Sequence, residues 1–396
     1  MRRDHCVVRS FFRAALLTAA TLAVIAEEAP AQTSSTGGIS LPTMVRVQAP
    51  GWWPTKGDPA RNEYVGAAEC AKCHASKAAH WQTTAMAHAA TRAADSDSLR
   101  RHIHLGSQIG PFSYEIATDD EKSVLEVSNA NSSSSQVLLW AFGVGRMGQT
   151  YLYENKGVFY ESHLSFFTTP QTLDITPGQP RSMPTALDQA AGRRMTLEET
   201  QRCFGCHTTA STTKDQFDPK GLFLGVTCEA CHGPGAKHIA AVKSGATNLI
   251  TESILNPRRL NLVDSVDFCG ACHRTWEDVV ANGFTGVGVF NVRFAPYRLE
   301  NSRCWKKGDA RITCIACHDP HQPLVQDPQS YDLNCLQCHA VRAGIKRTSD
   351  HPGGTCPAGT KNCVTCHMPK YEPPDLHSAF TDHWIRIVRP GKAYPN

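Results

Sequence analysis

Seventeen cysteines punctuate this chain, and their spacing constrains it more than any other feature. Fourteen of them fall into seven Cys-x-x-Cys pairs, and a histidine directly follows each pair. The triplets are Cys70/Cys73/His74, Cys203/Cys206/His207, Cys228/Cys231/His232 and Cys269/Cys272/His273, then Cys314/Cys317/His318, Cys335/Cys338/His339 and Cys363/Cys366/His367. Thiols three residues apart lie on one face of a helical turn, where they can add across two vinyl groups of a haem. The next imidazole then reaches the iron, so the pattern reads as covalent haem c attachment with the histidine as proximal ligand. Zinc also binds cysteine pairs and histidine, but it needs no histidine directly behind every pair. A thioredoxin-like redox pair requires a βαβ setting that the surrounding sequence lacks. Seven covalently bound haems c are expected.

That expectation explains an otherwise awkward composition. Long apolar runs are few among many Gly, Pro, Ser and Thr residues, a weak basis for a purely hydrophobic core. Haem macrocycles would supply the missing apolar volume. The expected fold is mainly α with much irregular structure, a multihaem cytochrome c fold organised around stacked haems, with a small β-rich insertion. Residues 32–66 read as an extended N-terminal arm, and residues 67–110 as a first haem-binding segment that opens on a helix over 67–94. Residues 111–195 read as the β-rich insertion. There Phe112-Ser-Tyr-Glu-Ile, Val124-Leu-Glu-Val and Val137-Leu-Leu-Trp suggest strands, and Asn155-Lys156-Gly157 suggests a hairpin turn. Residues 196–396 hold the remaining six motifs, on short helices interrupted at Asn256-Pro257, Ala295-Pro296 and Asp327-Pro328.

The N-terminus reads as an export signal over residues 1–31. Arg2, Arg3, Arg9 and Arg13 precede an apolar run at 14–26, and Ala29-Pro30-Ala31 supplies small residues for cleavage. The run is short for a membrane anchor, and no other stretch could span a bilayer. A periplasmic or extracellular location follows. The formal charge of +4 invites a search for acidic partners. Losing the signal removes one net positive charge, and each ferric haem adds about −1 through its two propionates. The mature protein is then roughly −4, and nucleic-acid binding has no support.

Ten histidines besides His5 and the proximal seven are available for the far side of each iron. His88, His104, His238, His321, His351, His377 and His383 lead as distal ligands, ahead of His80, His102 and His163. Turns such as Gly233-Pro-Gly235 and Asp319-Pro320 aim His238 and His321 away from the haems of their own motifs. Methionine is the alternative distal donor, from Met86, Met147, Met183 or Met195. Cys304 and Cys356 stand outside every motif and pair as a disulfide in an oxidising compartment, with a redox-active or iron-ligating Cys304 as the sharper alternative. Gly143-Val-Gly145-Arg-Met-Gly148 matches a dinucleotide-binding pattern, but a strand rather than a helix follows it, so the required context fails.

Glu69-Cys-Ala-Lys-Cys-His74 with Trp81 and His88 resembles the opening of the tetrahaem nitrification cytochrome c family. Cys228-Glu-Ala-Cys-His-Gly-Pro-Gly235 with His238, and Cys317-His-Asp-Pro-His321, are similar to later parts of it. Cys366-His-Met-Pro-Lys370 and Thr381-Asp-His383 look like the ends of its larger exported bacterial relatives. The resemblance implies haems in parallel-stacked and perpendicular pairs, with His88, His238 and His321 as distal ligands reaching across chain segments. Seven motifs and a long insertion depart from the tetrahaem members. The pentahaem nitrite reductases typically use a Cys-x-x-Cys-Lys motif, which does not occur here.

The sequence therefore reads as an electron carrier rather than an enzyme. It would pass electrons between redox partners such as a quinol dehydrogenase and periplasmic or outer-membrane cytochromes, with oligomerisation left open. The alternative is a multihaem oxidoreductase acting on a small nitrogen or sulfur compound at one open haem.

Overall fold

The computed structural model describes residues 60–388, apart from 214–215, 287, 307, 310 and 340–359. The expected signal, nearly all of the arm, His351 and Cys356 lie outside the described residues.

The largest regular element is a sheet. Its strands are β1 (Ala90–Arg92), β2 (His104–Ile109), β3 (Phe112–Thr118), β4 (Ser123–Ser128) and β5 (Ser133–Phe142), then β6 (Gly148–Asn155), β7 (Val158–Ser162), β8 (Leu164–Phe167), β9 (Thr172–Ile175) and β10 (Gly192–Arg194). The spatial order is β10-β7-β6-β5-β4-β3-β2, with β1 added to β5 and the β8-β9 pair added to β6. Every pairing is antiparallel. Alternation explains β3 and β4: Phe112, Tyr114, Ile116, Leu125 and Val127 point inward, while Ser113 and Glu115 face solvent. Lys156 (φ 52°) and Gly157 (φ 80°) close the β6-β7 hairpin, both in the left-handed region that such a two-residue turn demands.

This corrects the expected fold class. A ten-stranded antiparallel sheet, not a small insertion in a mainly α chain, occupies the middle of the sequence. It also starts earlier, because β1 and β2 lie among residues 67–110. The Ala-rich stretch 67–94 has high helix propensity, yet its helices are only Ala67–Ala71 and Ala75–Trp81. Ala90–Arg92 instead pairs with Phe142, Ala141 and Trp140, so tertiary pairing overrides local preference.

Two clusters fix the sheet. Leu99, Tyr114, Ile116, Leu125, Val127 and Tyr151 belong to the larger, which the strands enclose themselves. In the smaller, Ala90, Phe142, Leu152 and Met195 surround Phe204 on the helix Leu197–His207. Phe204 is fully buried and meets Trp140, Phe142, Phe159 and Phe217 edge to face. The sheet thereby backs the helix that ends in the second motif. Beyond residue 196 short helices and turns dominate. The prolines expected to interrupt them instead start them: Pro257–Arg259, Ala295–Glu300 and Pro328–Tyr331 each carry proline in the first turn, where its missing N–H has no partner to lose.

Candidate haem centres

Every motif sits on or against a helical turn. Leu197–His207, Leu262–His273 and Asp332–His339 run into a motif and stop at its histidine. Cys228–His232 and Cys363–His367 consist of the motif alone. Several motif rings are pinned from behind. Nδ1 of His207 lies 2.9 Å from the Ala89 carbonyl, that of His232 2.8 Å from Leu255, and that of His367 2.7 Å from Arg386. An Nδ1–H donating to a carbonyl fixes the tautomer and leaves Nε2 as the free donor to a metal.

Three motif histidines face a second histidine. His74 and His238 have ring centroids 6.5 Å apart and planes within 22°, and His232 and His321 lie at 6.0 Å and 16°. His318 and His383 lie at 6.2 Å and 50°. Imidazole nitrogens bind first-row metals at about 2.0–2.1 Å, and the ring centre lies about 1 Å behind the nitrogen. Two imidazoles on opposite sides of one metal therefore have centroids roughly 6 to 6.5 Å apart. All three pairs match that separation. Among the described residues no three His, Cys, Asp or Glu side chains gather around a metal position. Two axial ligands suffice for haem, because the macrocycle supplies the other four.

The second histidines are held as firmly as the first. Nδ1 of His238 is 2.8 Å from the Ile250 carbonyl and that of His383 is 3.0 Å from Thr381. Nδ1 of His321 instead meets the Asp319 carboxylate at 3.2 Å, and Asp319 also accepts the His321 backbone N–H. A buried pair places His383: Arg298 donates twice to Asp382, Nε to Oδ1 at 2.8 Å and Nη2 to Oδ2 at 2.5 Å. Ser302 Oγ then bonds the His383 carbonyl and receives Ile385 N–H. Burial, then neighbouring His318, drives the His383 pKa down to about 4, so the ring is neutral at pH 7 as a ligand must be.

His273 keeps access to solvent, and desolvation by the surrounding protein lowers its pKa.

The motifs neighbour one another partly out of sequence order. The Cys70 thiol lies near that of Cys228, the Cys269 thiol near that of Cys314, and the Cys335 thiol near that of Cys363. Burial, then the nearby Cys269 and Cys228, push the Cys231 thiol up to about 12. Burial and then Cys317 raise the Cys335 thiol. Cys206 Sγ donates to the Ala271 carbonyl at 3.7 Å, inside the fourth motif. The first motif thus touches the third, and the third, fourth, fifth, sixth and seventh follow in succession. The second joins at the fourth.

Cys73, Cys272 and Cys338 are further attachment thiols expected from the sequence. Cys73 departs from the expected helical placement. It is exposed and lies just past the end of the helix Ala67–Ala71, in a turn closed by its own N–H, 3.2 Å from the Cys70 carbonyl. Cys272 and Cys338 are half-buried on the helices Leu262–His273 and Asp332–His339. Cys338 lies close to Cys304 and Arg311, adding to the raised pKa of each behind burial at the first and the Asp309 hydrogen bond at the second.

Other expected site residues lie elsewhere. His88 is exposed, with Nε2 2.7 Å from the Gln82 carbonyl. His104 sits on edge strand β2 beside Glu115 at 3.1 Å. His377 packs on Phe167 and bonds Asp174 at 2.7 Å. His102 packs on Phe166, and His163 is buried in the sheet against Tyr114 and Gln179. Cys304 is half-buried, and burial raises its thiol pKa. Sequence reasoning missed Arg298, Asp382 and Glu229. Only Glu229, inside the third motif, and Asp382, beside His383, carried a positional signal.

A family model described as cytochrome c554 and c-prime matches residues 171–233, which include the second and third motifs. The multiheme cytochrome MtrA of Shewanella baltica (strain OS185) is 28% identical over 195 residues, 46% of this chain and 46% of that protein. The chain therefore spans about half the length of this curated relative. The crystal structure of outer cell wall cytochrome OcwA, 16% identical, aligns over 82% of this chain and 80% of its own, with a TM-score of 0.49. The repeated Cys-x-x-Cys-His motif, its helical setting and the likeness to MtrA and the cytochrome c554 model support a multihaem c-type cytochrome.

Proposed function

We propose that the chain is exported, attaches one haem c at each of its seven motifs, and carries electrons between redox partners outside the cytoplasm. Both thiols of every motif serve in attachment, Cys73, Cys272 and Cys338 included. Haem supplies an iron that exchanges one electron without changing its ligands when histidine holds both faces. The protein's part is to fix those ligands and to set the motifs side by side. The observation that carries the reading is the set of three histidine pairs, each at the separation one metal would bridge. His88, His104, His351 and His377 remain as ligands for the other four centres. The succession of neighbouring motifs supports a conduit, since electron transfer needs neighbouring centres. The likeness to the multiheme cytochrome MtrA over part of its length is consistent with redox partners, a quinol dehydrogenase or an outer-membrane cytochrome being the kind of partner proposed. Residues 1–31 are assigned as the export signal, and Cys304 with Cys356 as a disulfide.

Coulometric reduction of the purified mature protein, paired with its intact mass, tests this. Seven haem additions, an N-terminus at Gln32 and uptake of one electron per motif are expected. Fewer haems than motifs, or retained residues 1–31, would contradict it.

A further inference from the structure

One carboxylate inside the third motif bonds to both chain segments that lead to the first motif's facing histidines. Glu229 lies between Cys228 and Cys231 and is 1% exposed. Its Oε1 accepts Val65 N–H at 2.9 Å and Gly235 N–H at 2.8 Å, and its Oε2 accepts Gly66 N–H at 2.8 Å. Val65 and Gly66 lead directly into the helix Ala67–Ala71, which carries Cys70 and runs on to His74. Gly235 precedes the helix Ala236–Ser244, which carries His238 in its first turn. Gly66 has φ +84°, and a Cβ there would stand 3.2 Å from Phe223, so glycine suits this close approach. At Gly235 a Cβ would meet Val65 at 2.9 Å. A second clip, Lys237 to Glu63 at 3.0 Å, joins the same two segments at the surface.

Three N–H donors on one buried carboxylate make a strong, directional junction, because bonds to a charged acceptor are shorter and firmer than neutral ones. No short sequence path joins residue 66 to residue 235, so the distance between His74 and His238 is set by ties across the two segments: this buried junction, the Lys237–Glu63 clip, and the bond from Trp81 Nε1–H to the Val226 carbonyl at 3.0 Å. We propose that Glu229 is the positioning residue for the first haem centre. It lies in the third motif and holds the two axial histidines of the first at their 6.5 Å separation. The two centres then assemble as one unit. This rests on the reading of His74 and His238 as ligands of a single iron.

Low-temperature EPR of three oxidised holoprotein variants, His238→Ala, Glu229→Ala and Glu229→Gln, tests it, with haem content measured on each. His238→Ala should convert one low-spin haem to high spin, and added imidazole should restore it. Glu229→Ala should weaken or convert that same haem and no other, again with rescue by imidazole. Glu229→Gln keeps an oxygen for two of the three donors, so it should only shift that haem's g-values. If His238→Ala changes no haem, the ligand reading fails. If His238→Ala converts one haem while both Glu229 variants keep its native signal, or disturb a different haem, the positioning role is overturned. Should Glu229→Ala fail to mature, the Glu229→Gln spectrum decides alone: a shift confined to the haem that His238→Ala removes supports the role, and none rejects it.

Discussion

At the scale of single residues, the atom behind each imidazole sets its electronic character. His232, His238 and His383 donate Nδ1–H to backbone carbonyls, whereas His321 donates to the Asp319 carboxylate. A carboxylate makes the imidazole more basic, which favours ferric iron and lowers the potential. The His321 backbone N–H, the strongest influence on Asp319, helps hold its pKa below the usual carboxylate range, so the charge persists at neutral pH. Asp319 is half-exposed, so solvent tempers the effect. Asp319→Asn should raise the potential of the haem between His232 and His321 while leaving the others in place. A spectroelectrochemical titration with no component shifted upward would contradict this. The seven Cys-x-x-Cys-His motifs stand out in the sequence because their spacing is local, five residues at a time. The facing histidines were legible only as a pool, since pairing His74 with His238 requires knowing which segments meet.

At the scale of elements, the sheet and the motif helices depend on each other. Phe204 anchors the helix of the second motif into the aromatic cluster of the sheet. Phe204→Ala should cost about 3–5 kcal/mol of stability, read as a lower denaturation midpoint by far-ultraviolet circular dichroism. An unchanged midpoint would show that the sheet does not brace this motif. The last motif is tied differently, because Asp332 accepts Asn362 N–H at 2.7 Å and Cys363 N–H at 2.8 Å. The Cys363 N–H is the main cause that lowers the Asp332 pKa. A carboxylate with a depressed folded-state pKa stabilises above its unfolded value, about 3.9. That contribution fades as pH falls through the lower folded value. Amide exchange at residues 362–363 should therefore stay protected down to about pH 4 and quicken below it; fast exchange at neutral pH would contradict the tie. Strands β3 to β7 could be read from alternation and a hairpin turn. Strands β1 and β10, three residues each, and β2, with its Gly-Ser-Gln centre, gave no such pattern. They exist because neighbours offer them backbone partners, which is why the sheet came out larger than its sequence signature.

At the scale of the whole molecule, the third to seventh motifs neighbour one another in chain order, and the first two depart from it. The first sits against the third, not the second, and the second branches at the fourth. Hydrophobic clusters fill the sheet and its seam with the second motif, while the remaining motifs lie on short helices and turns. A carrier built this way stands or falls on its paired histidines. The most direct test is low-temperature EPR of the oxidised protein beside its His238→Ala, His321→Ala and His383→Ala variants. Each substitution should turn one low-spin haem high-spin, and a different haem in each case. Spectra unchanged by the substitutions, or a high-spin haem already present between one of these pairs in the native protein, would contradict the account.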